Sequence, residues 1–455
     1  MAASPARTIA FEVLRRVESE AAHASDVLHA ELAAAAKSED AALATELVLG
    51  VLRWRRLLDA LLDRQLKKPV ERLDLPVALA LRLGIYQVRF LERIPARAAV
   101  NESVELVKRA RKSSAAALVN ALLRRAAGEA KTPAAALLPP EPSLANRLAI
   151  LHSHPTWMVE RWLARLGEAQ TVALLEANNR TPRLTCALCD FWRRDHVVAA
   201  LRSAGLRVEP GLLLKNALAV SGGSPSNTEA FRKGWISIQD EASQAVPLLL
   251  EAQPGDRVLD LCAAPGGKTA PLARAVGASG LVVAADRPAH RLRAAHAQFE
   301  RLGLARVPLV ALDAERPLPF RACFHRILLD APCSGTGTLQ RHPEIRWRLR
   351  PERLTGLHRA QVSLLANALG ALAPGGRLVY STCSMEPEEN ENVVAEVLRN
   401  TPKIRRIPPA EIASALAPHL AGEADLLGAD GCFRTSPGRH NTDGFFAAVL
   451  EAEAE

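Results

Sequence analysis

The chain lacks most of the features that mark secreted, membrane-spanning or disordered proteins. Only seven of its 455 residues are cysteine, and they form no dense, evenly spaced framework. This excludes a small disulfide-stabilised fold and favours free thiols in a reducing compartment. No apolar run approaches the roughly 18 residues that a membrane span requires, and no signal peptide opens the sequence. We therefore expect a cytoplasmic protein without a membrane partner.

The chain also lacks internal repeats and low-complexity tracts, which excludes solenoid and fibrous classes. Hydrophobic residues make up 49% and charged residues 24% of the sequence, as in ordinary globular proteins. A length of 455 residues exceeds what a single hydrophobic core usually covers. We expect about two to four domains in a chain that is monomeric in solution.

Positive charge is concentrated in one stretch. Residues 51–125 contain 17 Lys and Arg against 7 Asp and Glu, a net charge of +10. Residues 1–50 contain 4 Lys and Arg against 8 Asp and Glu, a net charge of −4. The chain's formal charge of +9 therefore arises in a single segment. A localised basic face is typical of a nucleic-acid-binding protein. A solvated helix surface is the alternative interpretation.

Hydrophobic periodicity divides the chain into domains. Residues 1–130 repeat apolar positions at helical spacing, which predicts an all-α domain of about five to seven helices. Four prolines in residues 131–143 indicate a linker. Residues 144–234 mix helices with short strands, expected at residues 184–189 and 212–220, and predict a small α+β module. In residues 235–455, near-continuous apolar strands alternate with helices, which predicts an α/β, Rossmann-like domain with a mostly parallel sheet.

The predicted sheet has five strands separated by helices and a final strand without a crossover helix. The five are residues 257–261, 281–285, 307–312, 326–329 and 377–381. The last, residues 445–450, is expected to enter antiparallel at or near an edge.

A short turn of small residues follows the first of these strands. It consists of Cys262, Ala263, Ala264, Pro265, Gly266, Gly267 and Lys268. The spacing matches neither G-x-G-x-x-G nor a P-loop. Small residues at this position nevertheless let the backbone approach a ligand closely, so the turn is a candidate cofactor-binding site.

Carboxylates end the next three predicted strands. Asp286 lies 20 residues beyond Gly266, a spacing that suits a carboxylate bound to ribose hydroxyls. Asp313 and Asp330 end the third and fourth strands in the same way. A single such Asp is a helix cap about as often as a ligand. Polar groups at the same end of four successive strands favour a nucleoside-bearing cofactor instead.

Two cysteines, Cys333 and Cys383, follow the last two parallel strands. Core packing is the ordinary explanation for one cysteine, but two at the cofactor edge favour reactive thiols. A thiolate that adds to C6 of a pyrimidine turns C5 into a carbon nucleophile that can accept a methyl group. The residues alone do not rank the two cysteines.

A second pair, Cys186 and Cys189, forms a lone C-x-x-C within a predicted strand. Zinc or redox chemistry would require a second Cys or His pair nearby. We interpret these residues as buried strand thiols and expect no metal site in the chain.

Taken together, the motifs resemble those of the RNA cytosine-5 methyltransferases of the Fmu/Sun type. The resemblance is carried by residues 260–269, 330–335, 341–347 and 380–390, and also by residues 234–243 and 442–446. The helical N-terminal domain resembles the NusB-like domain of bacterial members that act on 16S rRNA. One departure is Cys189, where members of the family often have asparagine.

The resemblance implies a cofactor, a substrate and a set of site residues. The cofactor is S-adenosylmethionine, held by residues 262–268 with Asp286, Asp313 and Asp330. Cys383 is implied as the nucleophile on C6, and Cys333 as the residue that assists product release. The implied product is 5-methylcytosine in RNA, with 16S ribosomal RNA, free or in an assembling small subunit, as the substrate.

Two further expectations concern RNA and the alternatives to this function. Arg341, Arg346 and Arg348 are candidate phosphate contacts, a solvated loop being the alternative. The alternative functions are a DNA cytosine-5 methyltransferase and a non-catalytic RNA-binding factor in ribosome assembly.

Overall fold

The structure is a computed structural model that describes residues 3–20, 22–35, 38–190, 193–287 and 289–454. The chain forms two compact units. The helical unit comprises Met1–Arg180 with Leu339–Arg348, and the sheet unit comprises Thr181–Thr338 with Leu349–Glu455. None of the helices in the described ranges is both long and apolar enough to cross a membrane.

The helices are numbered in chain order. The first nine are α1 Pro5–Ser19, α2 Ala24–Ala35, α3 Ser38–Asp63, α4 Leu75–Phe90, α5 Ala96–Arg109, α6 Ala116–Gly128, α7 Ala134–Leu137, α8 Leu144–Leu151 and α9 Thr156–Asn178. The others are α10 Arg194–Ser203, α11 Glu229–Arg232, α12 Glu241–Ala245, α13 Thr269–Val276, α14 Ala289–Arg301, α15 Ile345–Arg348, α16 Pro351–Gly370, α17 Glu391–Arg399, α18 Pro409–Leu416 and α19 Pro437–His440.

The strands are numbered in the same way. They are β1 Leu184–Leu188, β2 Arg207–Pro210, β3 Ala217–Ser221, β4 Ile236–Ile238, β5 Arg257–Leu261, β6 Leu281–Asp286, β7 Leu309–Ala311, β8 Phe324–Asp330, β9 Leu372–Thr382, β10 Ile404–Arg406, β11 Phe433–Arg434 and β12 Phe446–Ala452.

Helices α1 to α6 pack around one apolar core. Residues such as Leu14, Leu58, Leu79 and Leu123 are fully buried there, at positions that recur on one face of each helix. The predicted all-α N-terminal domain is confirmed. Helices α8 and α9 and the segment Leu339–Arg348 also group with this unit, an assignment that hydrophobic periodicity did not predict.

The sheet unit contains a small sheet and a large one. The small sheet has four antiparallel strands in the order β2-β3-β1-β4. A strand was expected across residues 212–220, but the first part is a loop. There the carboxylate of Glu241 accepts the backbone N–H groups of Leu212, Leu213 and Leu214, so these residues do not pair with a strand.

The large sheet has the order β10-β12-β9-β8-β5-β6-β7, with β11 paired to β12. Neighbours from β9 to β7 are parallel, as the near-continuous apolar strands predicted. Strand β12 is antiparallel to β9 and lies one strand from the edge. The carboxyl ends of β5, β6, β7, β8 and β9 therefore meet at one edge, which is where a ligand site forms in such sheets.

Candidate active site

Two cysteines meet at the carboxyl ends of β8 and β9. These strands are parallel, with Asp330 opposite Ser381, so the two loops leave the sheet side by side. The Sγ atoms of Cys333 and Cys383 lie 3.3 Å apart. The structure thus brings together the two thiols that the sequence placed at this edge.

The surroundings of Cys333 favour its protonated form. Its contact with the Cys383 sulfur, its burial, and the negative charge of Glu389 together hold the pKa of the Cys333 thiol well above its ordinary value. A thiol rather than a thiolate is therefore expected there at neutral pH.

A charged pair lies beside the thiols. Nζ of Lys268 lies 2.6 Å from Oδ2 of Asp330, and the Ser381 hydroxyl donates a hydrogen bond of 2.8 Å to Oδ1 of the same carboxylate. Burial lowers the pKa of Lys268, but Asp330, with a smaller contribution from Cys383, more than offsets it, so the pKa is raised. Lys268 consequently carries a positive charge close to Cys383.

The turn after β5 has a tightly constrained backbone. Cys262 has a φ of 61° and Gly266 a φ of 97°, both in the left-handed region that favours glycine. A Cβ atom on Gly266 would lie 2.5 Å from the Phe299 ring, so no larger residue fits. Burial raises the pKa of Cys262, so this thiol is expected to be protonated and not nucleophilic.

Asp286, at the end of β6, is bonded to this turn. One carboxylate oxygen accepts the Ala264 N–H at 3.0 Å, and the other accepts the Arg287 N–H at 2.8 Å. Arg291 donates to the Ala264 carbonyl at 2.7 Å. Asp286 therefore fixes the position of the turn relative to the end of β6.

Asp313 lies two residues beyond β7 and is less enclosed. Its carboxylate accepts the Glu315 N–H at 3.1 Å and lies 3.8 Å from the guanidinium groups of Arg287 and Arg316. Asp313 thus stabilises its own turn at the same sheet edge.

Asp260 is a candidate site residue that the sequence analysis missed. It lies within β5, fully buried, and Thr269 donates a hydrogen bond of 2.6 Å to its Oδ2. Its Oδ1 is buried and has no hydrogen-bond partner within the described ranges. Burial raises the pKa of Asp260 to about 7. The available signal was a carboxylate in the middle of an apolar strand, since a buried acid requires a partner.

The predicted phosphate contact at Arg346 is wrong. Arg346 is 0% exposed; inside the helical unit it donates to the carbonyls of Ser153 at 3.0 Å and Asn178 at 3.1 Å. Arg348 donates to the Val17 carbonyl at 2.9 Å. The guanidinium group of Arg346 is therefore bound by protein carbonyls and cannot contact RNA, whereas Arg348 is half-buried and stays a predicted contact. Arg341 is half-buried and stays a predicted contact.

The basic stretch also contributes to the interior of the helical unit. Arg53 and Arg82 are 3% and 1% exposed, and Arg82 is bonded to Asp59 at 2.7 Å and Glu18 at 2.9 Å. The surface charge is therefore smaller than the residue count suggests. Exposed cations of the stretch include Lys67, Lys68, Arg72, Arg93, Arg97, Arg111, Arg124 and Arg125.

Of the two cysteines expected to be buried strand thiols, Cys186 is located as expected and Cys189 is not. Cys186 is buried in β1, where burial raises the pKa of its thiol to about 12. Cys189 follows the strand and is partly buried. An unreactive thiol at Cys186 is consistent with packing.

Comparison with known protein families finds a match for three parts of the chain. Residues 247–451 match the 16S rRNA methyltransferase RsmB/F family, residues 4–128 match the NusB family, and residues 154–226 match the ferredoxin-like domain of RsmF/B-like methyltransferases.

Several individual proteins are similar over most of the chain. Ribosomal RNA small subunit methyltransferase B of Pseudomonas putida is 35% identical and covers 90% of each chain. The protein of the same name from Klebsiella pneumoniae is 32% identical, over 98% of this chain and 97% of its own. A solved structure of a methyltransferase homolog protein from Pyrococcus horikoshii is 30% identical, covers 69% of this chain and 100% of its own, and has a TM-score of 0.56.

Proposed function

The chain belongs to the RsmB/F family of 16S rRNA methyltransferases, and we propose that it methylates C5 of a cytosine in 16S ribosomal RNA through a covalent bond to Cys383. The observation that carries this proposal is the 3.3 Å separation of the Cys333 and Cys383 sulfurs. Membership of the family makes the chain a methyltransferase that uses S-adenosylmethionine, so the non-catalytic alternative is set aside.

The sheet edge fits this cofactor, which presents an amine, ribose hydroxyls and a sulfonium cation and therefore needs hydrogen-bond acceptors. The unpartnered Oδ1 of Asp260 is such an acceptor. The turn of residues 262–268 brings backbone close to the same edge, and Asp286, Asp313 and Asp330 add carboxylates. When bound, S-adenosylmethionine supplies an electrophilic methyl group.

The electrostatic surroundings support an assignment of the two thiols. The contact with the Cys383 sulfur, burial and the Glu389 carboxylate keep Cys333 protonated, which suits a proton donor and not a nucleophile. Cys383 instead interacts with the Lys268 ammonium. We therefore assign nucleophilic attack to Cys383, in agreement with the family resemblance.

In the proposed reaction, the thiolate of Cys383 forms a bond to C6 of the cytosine, and the ring electrons make C5 a nucleophilic carbon. After C5 is methylated, a general base takes its proton, the C5–C6 double bond re-forms and the bond to sulfur breaks. Cys333 donates its proton to the departing sulfur. A stacked cytosine cannot reach Cys383, so the base must be unstacked before attack.

The test is transfer of a tritium-labelled methyl group to purified 16S rRNA, with duplex DNA as the comparison. We expect labelled RNA, a single modified cytidine on bisulfite sequencing, and no transfer by Cys383→Ala. Affinity of this variant for S-adenosylmethionine, measured calorimetrically, should stay within about threefold, because the thiol acts on RNA.

Cys323→Ala is the matched control, because Cys323 precedes the opposite, amino end of β8. It should retain methylation. Transfer to DNA in place of RNA, or full activity of Cys383→Ala, would refute the proposal.

A further inference from the structure

Glu389 is a fully buried carboxylate, 0% exposed, that binds both cysteine loops. Its Oε1 accepts the backbone N–H of Ser334 at 2.7 Å. Its Oε2 accepts the hydroxyl of Ser334 and, at 2.5 Å, that of Ser384. Ser334 follows Cys333, and Ser384 follows Cys383. A single side chain is therefore bonded to the residue after each thiol.

The carboxylate is itself held in place by neighbouring elements. Gln361, on α16, donates to Oε1 of Glu389 at 3.1 Å and to the Pro332 carbonyl at 2.8 Å. The Tyr380 hydroxyl, on β9, donates to the backbone carbonyl of Glu389 at 2.6 Å. The position of Glu389 is thus held by a long helix and a central strand in addition to the loops that it binds.

Asn390, the residue after Glu389, binds the chain on both sides of Cys383. The Thr382 hydroxyl donates to Oδ1 of Asn390 at 2.5 Å, and Nδ2 of Asn390 donates to the Ser384 carbonyl at 2.9 Å. Since Thr382 and Ser384 flank Cys383, the chain on both sides of this cysteine is bonded to the residue that follows Glu389.

Burying a carboxylate is costly unless several donors bind it. Burial raises the pKa of Glu389, while the bonds from Ser334, Ser384 and Gln361 oppose that rise. Two carboxylate oxygens that only accept can bind two loops at once, whereas the amide of glutamine offers one accepting oxygen. The chemistry of this side chain therefore matches the task of joining two loops.

We propose that Glu389 is a positioning residue that sets the distance between the sulfurs of Cys333 and Cys383. In the reaction proposed above, on which this role rests, that distance lets the Cys333 proton reach the departing Cys383 sulfur. Glu389 itself contacts neither the RNA base nor the methyl donor in this assignment.

The distance can be tested without any methylation assay, through the equilibrium of the two thiols with glutathione. Oxidised glutathione takes two electrons and two protons from Cys333 and Cys383, which yields one protein disulfide and two reduced glutathione molecules. After alkylation of remaining thiols, mass spectrometry quantifies the peptide pair that joins the two residues. Two thiols held close give a high equilibrium constant for this exchange.

We expect this equilibrium constant to fall about tenfold in Glu389→Ala and by a smaller factor in Glu389→Gln, because one to three hydrogen bonds that hold the loops are lost. Glu391→Gln is the control: Glu391 is two residues away and pairs with Arg434 at 3.2 Å. This control removes a charge without touching either loop and should match the wild type.

Methylation gives the second readout. Both Glu389 variants should lower kcat at least about tenfold with the KM for S-adenosylmethionine within about twofold, since the lost interaction acts after cofactor binding.

Circular dichroism melting establishes that the variants are folded. Glu389→Gln, whose side chain has nearly the same volume as that of glutamate, replaces the alanine variant if the alanine variant does not fold. A wild-type disulfide equilibrium in folded Glu389 variants would overturn the proposal. A wild type that forms the disulfide and methylates no RNA would instead refute the proposed function alone.

Discussion

The ammonium of Lys268 lies 2.6 Å from the carboxylate of Asp330, an ion pair between the turn after β5 and the end of β8. The side chains are 12% and 28% exposed. A largely buried pair of this kind is costly to break from one side, because the remaining charge loses its partner.

Replacement of both partners of this pair should therefore destabilise the protein by less than the sum of the two single replacements. We expect Lys268→Met and Asp330→Asn each to lower the free energy of unfolding by about 2–4 kcal/mol. The double variant should lose at least about 1 kcal/mol less than the sum. Denaturant titration of the four proteins measures this coupling, and strictly additive losses would show that the two side chains do not interact in solution.

Loss of the Cys333 thiol should trap the reaction after attack. In Cys333→Ala the departing Cys383 sulfur has no proton donor 3.3 Å away, so release of the RNA slows and the covalent adduct accumulates. Denaturing gel electrophoresis with labelled 16S rRNA should show a band of slower mobility that is absent in the double variant with Cys383→Ala. A Cys333→Ala protein with wild-type turnover and no adduct would contradict this role.

The buried Asp260 predicts a dependence of stability on pH. Its folded pKa is about 7, above the ordinary value of 3.8, so the folded state binds the proton more tightly than the unfolded state does. The resulting stabilisation is complete below about pH 4 and is lost as the pH rises through about 7.

Asp260→Asn cannot titrate and serves as the comparison for this pH dependence. Relative to the variant, the wild type should lose up to about 1.4 kcal/mol per pH unit between about pH 5 and about pH 7. Denaturant titrations at three pH values in the absence of cofactor measure the difference. Parallel pH profiles would mean that Asp260 is already ionised in the folded protein at pH 5.

Arg346 should matter for stability and not for RNA affinity. Arg346→Ala leaves the buried carbonyls of Ser153 and Asn178 without this donor, and we expect the helical unit to lose about 3–5 kcal/mol. Hydrogen exchange of peptides from α8 and α9 locates the effect. Arg124→Ala, at an exposed position, should change stability by less than about 0.5 kcal/mol. If Arg346→Ala weakened RNA binding while the hydrogen-exchange protection of α8 and α9 stayed unchanged, Arg346 would be a phosphate contact after all.

Much of the site was predictable from the sequence because parallel strands impose it. Once β5, β6, β8 and β9 are recognised as parallel, the residues that follow them must meet at one edge. Cys333 and Cys383 follow two adjacent strands, and Lys268 follows a third. Near-continuous apolar runs separated by helical stretches were enough to locate these strands.

The sequence by itself determined the helical N-terminal region, the parallel sheet and the edge at which the thiols lie, since each depends on local periodicity or on strand ends. Only the tertiary structure decided that Glu389 binds Ser334, that Arg346 is buried in the helical unit, and that Asp260 titrates near neutral pH. These properties depend on burial and on contacts between residues far apart in the chain. No local pattern encodes them, because the same type of side chain can be charged on the surface or buried in a hydrogen bond, depending on the residues that pack against it.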